Sequence, residues 1–91
     1  MTTPEKNSAL ISLKKARTLL DKIITMTEDN EYCIDIMQQN MAAIGLLKSA
    51  HQNLMENHLH TCFSKAMESK QEKRKADMVE EILKVSRLVN K

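Results

Sequence analysis

Ninety-one residues make one small domain, and a chain this short buries only a modest fraction of its surface when it folds alone. With one Gly, one Pro, no Trp, one Tyr and one Phe, the chain is built from strong helix formers and must draw its core from aliphatic and Met side chains. The formal net charge of +2 neither demands nor excludes nucleic acid. No stretch approaches the roughly 20 apolar residues of a membrane span, and the N-terminus lacks the apolar run of a secretion signal, so the expectation is a soluble cytoplasmic protein.

Thr3-Pro4-Glu5 reads as a helix start, with Thr3 as cap and Pro4 in the first helical position. Leu10, Leu13, Leu20, Ile23 and Ile24 recur at helical spacing, with Ala16 among them, and predict an amphipathic helix over about 4–27. Thr27-Glu28-Asp29-Asn30 breaks it, and Asp29 or Asn30 is available to cap the next helix. That second helix runs long, over about 31–68, with only Gly45 to weaken it. Its apolar positions spread widely around the axis, as suits a helix between partners. Glu68 to Lys75 is a charged connector that the sequence leaves open as loop or solvated helix. A third helix, about 75–90, carries Met78, Ile82, Val85 and Leu88 at helical spacing.

Cys33, His58 and Cys62 all fall on the second helix. At about 100° per residue, His58 lies about 20° to one side of Cys33 and Cys62 about 20° to the other. The three share one face, together with Asn40, Ile44, Leu47 and His51. His58 and Cys62, at i and i+4, are neighbours able to hold one ion. Cys33 is 25 residues from His58, about 37 Å along a straight helix. If the three hold one ion, an antiparallel partner helix must complete the site, with a twofold axis near Leu46 and Leu47. A homodimer then carries two identical sites, each taking Cys33 from one chain and His58 and Cys62 from the other. Spacing alone leaves core thiols beside an incidental histidine as an equal reading. Two thiolates and one imidazole suit a soft ion of low coordination number, Cu(I) best, whereas structural zinc wants a fourth ligand.

The segments Tyr32-Cys33-Ile34-Asp35-Ile36-Met37 and Asn57-His58-Leu59-His60-Thr61-Cys62-Phe63 resemble the copper-sensitive operon repressor (CsoR) family. The similarity covers about Ala9 to Leu88. The resemblance implies an all-α, three-helix subunit whose long central helix pairs antiparallel in a homodimer, with a dimer-of-dimers tetramer beyond it. It implies one Cu(I) per subunit, bridging two subunits through Cys33, His58 and Cys62. The outer Tyr and Glu of the copper sensors map to Tyr32 and, across a short insertion, to Glu81; such groups orient a ligating imidazole. Persulfide-sensing relatives do not need the histidine, and nickel or cobalt sensors carry His where Cys62 stands.

Two arginines that help DNA-binding relatives hold their operator correspond to Ser12 and Ser49 here. Phosphate contacts dominate non-specific affinity and set position on DNA, so DNA binding is in doubt although Lys14, Lys15, Arg17, Lys22 and Lys48 remain. The leading expectation is a copper-homeostasis protein that buffers or delivers Cu(I), with a copper-exporting ATPase as a candidate acceptor. The alternative is a Cu(I)-responsive transcriptional repressor that releases DNA on binding copper. His51 is read as an inter-subunit hydrogen-bonding residue, His60 as solvated, and Met37, Met41 and Met55 as flexible core filler. No Ser-His-Asp arrangement, phosphate loop or pair of buried acids is apparent, so no enzyme activity is expected.

Overall fold

A computed structural model describes residues 3–89, all-helical apart from short connections. The last position of the third predicted helix, Asn90, lies outside the described residues. Contacts divide the chain into two compact units, with the division between Asn57 and His58.

In the first unit, α1 spans Pro4–Glu28. Thr3 caps it as the sequence suggests: its hydroxyl accepts the Lys6 amide at 3.1 Å, satisfying one of the first-turn N–H groups that have no partner within the helix. At the other end Asn30 adopts φ 54°, the left-handed conformation that Asn tolerates better than most residues. The Asn30 N–H bonds the Thr27 carbonyl at 3.2 Å and the Glu31 N–H bonds the Met26 carbonyl at 3.0 Å. This pair of bonds is a Schellman closure. The sequence offered Asp29 or Asn30 as a cap for the second helix, but both instead serve the end of the first. The long helix α2 therefore begins at Cys33 and runs to His58, two residues later than the hydrophobic pattern placed its start.

Small residues form the seam between α1 and α2. Ala9 and Ala16 on α1, and Ala43, Ala50 and Asn57 on α2, are buried at seven-residue spacing along each helix. The Thr3 hydroxyl donates to the Asn57 amide oxygen at 2.5 Å, which ties the start of α1 to the end of α2 and makes the two helices antiparallel. About two turns in from that bond stand Ala9 and Ala50, and two turns further Ala16 and Ala43. Alanines let the backbones approach closely, but they bury little apolar area. Leu10, Leu13, Leu20 and Ile24, read from the sequence as the inward stripe of the first helix, are all exposed. Among the described residues no large side chain is fully buried.

The second unit starts at His58. A π-helical turn, Leu59–Phe63, follows it. The short helix α3, Ser64–Glu68, comes next and ends where Ser69 turns extended, with φ −72° and ψ 155°. The final helix, α4, spans Glu72–Val89 and packs against α3. The open question of the connector is thereby resolved: only Ser69 to Gln71 leave the helix, and Glu72 to Lys75 form the first turn of α4. An acidic residue in that turn suits the helix dipole, and Lys75 pairs with Glu72 at 3.4 Å. Met78, Ile82 and Val85 are the half-buried face of α4, while Ala66 of α3 is fully buried.

Candidate metal centre

Cys33 is the first residue of α2 and His58 the last. The helix is unbroken from Cys33 to Asn57, about 36 Å of axis at 1.5 Å per residue. Both cysteines are free, exposed thiols. The face of α2 that carries Cys33, Asn40 and Leu47 is not the alanine seam that meets α1. Cys33 and Asn40 are exposed, Ile44 and His51 half-buried, and around them Met37, Met41 and Leu47 are 60%, 63% and 45% exposed.

His58 stands immediately before the π-helical turn and Cys62 lies within it. The Ser64 hydroxyl bonds the Leu59 carbonyl at 2.8 Å, five residues back. In a regular α-helix, residues i and i+4 are offset by about 40°. A π turn takes more residues per revolution than an α turn, so His58 and Cys62 are not held at the α-helical offset. The residue types of Leu59–Phe63 carry no signal for this turn. The Thr61 hydroxyl reaches the Cys62 sulfur at 3.6 Å.

The imidazole of His58 is half-buried, and its Nε2 lies 3.0 Å from the sulfur of Met78 on α4. Sequence reasoning assigned Met78 only to the apolar face of the third helix. Its place one turn before Glu81 was the signal that could have flagged it. Glu81 is exposed on the same helix, and Tyr32, directly before Cys33, is 69% exposed. His60 is exposed. Among the described residues, no three His, Cys, Asp or Glu side chains are grouped so as to hold a metal ion. No described helix is long and apolar enough to cross a membrane.

Thiols and imidazoles are the donor types that suit a soft metal ion, where hard cations take carboxylate oxygens. Residues 5–88 match the metal-sensitive transcriptional repressor family, and the chain belongs to it. It is 46% identical over 65 residues to the copper-sensing transcriptional repressor CsoR of Mycobacterium ulcerans (strain Agy99), a match covering 71% of this chain and 56% of that protein. The CsoR of Mycobacterium tuberculosis (strain ATCC 25618 / H37Rv) is 43% identical over 65 residues, covering 71% and 55%. The CsoR of Bacillus subtilis (strain 168) is 31% identical over 68 residues, covering 75% and 67%. The chain thus spans about half the length of the mycobacterial relatives.

Proposed function

We propose that the protein is a Cu(I)-responsive transcriptional repressor whose sensing site is shared between two copies of the chain. The observation that carries this reading is the donor set: Cys33 opens α2 and His58 closes it, with Cys62 one turn on, in a chain of the metal-sensitive repressor family. Cys33 of one subunit meets His58 and Cys62 of an antiparallel partner, one Cu(I) is held per subunit, and the twofold axis passes near Leu46 and Leu47. The exposed apolar side chains Met37, Met41 and Leu47 supply the dimer contact. Cu(I) would bridge the two subunits, so filling the site selects one packing of α2 against its partner. DNA release follows if that packing binds the operator less tightly than the empty one.

This order reverses the two readings the sequence admits. Ser12 and Ser49 favoured buffering or delivery of copper, and the names of the relatives, copper-sensing repressors, favour regulation instead. Delivery stays as the second reading for one reason. Both thiols are exposed, and a three-coordinate thiolate site accepts an incoming thiolate readily. The copper-exporting ATPase expected as acceptor belongs to that reading.

The deciding experiment titrates the reduced apo protein at low salt against promoter DNA from copper-responsive genes, with Cu(I) affinity measured on the same sample. Tight, sequence-specific binding relieved by one Cu(I) per subunit is the expected result. Tight copper binding with no specific DNA binding would replace the repressor with a copper carrier.

A further inference from the structure

The geometry points to Met78 as the positioning residue of His58. Its thioether accepts a hydrogen bond from Nε2–H, so that Nδ1 is the nitrogen presented to Cu(I). This inference rests on the reading above that His58 is a copper ligand.

The argument begins with the sulfur. Met78 Sδ and His58 Nε2 are 3.0 Å apart. A thioether has lone pairs and no proton to give. The contact is therefore attractive only when Nε2 carries the hydrogen. In a neutral imidazole the other nitrogen then holds the free lone pair, and neutral imidazole is the form that ligates a metal. A metal-binding histidine ordinarily donates its far N–H to a fixed acceptor, which sets both tautomer and ring orientation. Met78 supplies that acceptor here, in the role that the family resemblance implied for Glu81.

Direct chelation between the two atoms fits less well. With metal distances of about 2.0 Å to nitrogen and about 2.3 Å to sulfur, as in zinc sites, a 3.0 Å span subtends roughly a right angle. A planar three-coordinate ion wants about 120°. The pair as it stands suits a hydrogen bond.

Two consequences separate Met78 from a carboxylate in the same place. A thioether does not titrate, so its hold on His58 does not weaken when carboxylates are protonated. It is also oxidisable, since methionine sulfoxide is a polar side chain of different shape. Because Met78 sits on α4, the hydrogen bond also links the ligand imidazole to the position of that helix.

The test reads the tautomer first, on the metal-free protein. Long-range proton–nitrogen correlation, recorded over a pH series, reports which ring nitrogen of the neutral imidazole is protonated; His51→Gln and His60→Gln assign the signals. His58 is expected as the Nε2–H tautomer in the wild type, as a mixture in Met78→Leu, and again as Nε2–H in Met78→Gln, whose amide oxygen restores an acceptor. A wild-type signal that is already mixed, or that is unchanged by Met78→Leu, would overturn the inference. Cu(I) affinity of Met78→Leu should fall by about 10–100-fold, the usual loss for an outer partner. X-ray absorption should give two thiolate sulfurs and one imidazole nitrogen around copper in both proteins. A third sulfur present only in the wild type would make Met78 a ligand and would also overturn it. Failure of the wild type to bind Cu(I) would defeat the proposed function, while the tautomer result would still stand or fall by itself.

Discussion

The Thr3 hydroxyl donates to the Asn57 amide oxygen across 54 positions of sequence, and the same oxygen of Thr3 accepts the Lys6 N–H. One side chain thus caps α1 and fastens it to the end of α2, one residue before His58. Thr3→Ala should cost about 1–2 kcal/mol, at the upper part of the range for a lost N-cap, and Thr3→Ser should cost far less. Urea unfolding at fixed protein concentration measures both. Equal midpoints for wild type and Thr3→Ala would mean that the bond contributes nothing to the hairpin.

The alanine seam makes a second expectation. Ala50 is 1% exposed, so Ala50→Leu forces three further carbons between α1 and α2. Overpacking of this kind costs about 1–3 kcal/mol. Ala42→Leu, at an exposed position of the same helix, should stay within about 0.5 kcal/mol of the wild type. The difference between the two variants, read from the same unfolding curves, is the seam's signature.

The proposed sharing of a Cu(I) site between chains is testable by mixing. Cys33→Ala and Cys62→Ala should each bind Cu(I) weakly while remaining helical oligomers. After unfolding and co-refolding in equal amounts, the mixed dimer has one damaged site and one whole site, made from Cys33 of one chain and His58 and Cys62 of the other. Chelator competition should then recover tight binding in the mixed dimers. No recovery in demonstrably mixed oligomers would mean that each chain builds its site alone.

Ser49 is exposed on α2. Under the repressor reading, Ser49→Arg should tighten operator binding at low salt. Each new phosphate contact should steepen the plot of log affinity against log salt by about 0.9. An unchanged slope would place this face of α2 away from DNA.

The unequal legibility of the molecule has a physical origin. Residues 3–5 announced the first helix correctly because capping and a proline at the first position are local chemistry. Asn30 was misassigned because Asn suits both an N-cap and a left-handed C-terminal residue, and only the Met26 and Thr27 carbonyls decide between them. The leucines of α1 looked like a core stripe because periodicity reports that a helix has an apolar face, without saying which surface covers it. Alanine, which scores weakly in such a pattern, turned out to form the seam.

By itself the sequence determined that the chain is all-helical and that Cys33, His58 and Cys62, side chains of the soft-donor type, recur at helical spacing. Those are properties of residue type and of a 3.6-residue period. Only the tertiary structure decided that alanines rather than leucines are buried, that the helix widens into a π turn between His58 and Cys62, and that Met78 meets the imidazole. The bonds responsible join residues 20 and 54 positions apart, or depend on backbone dihedral angles. No local pattern encodes which distant partner a side chain will find.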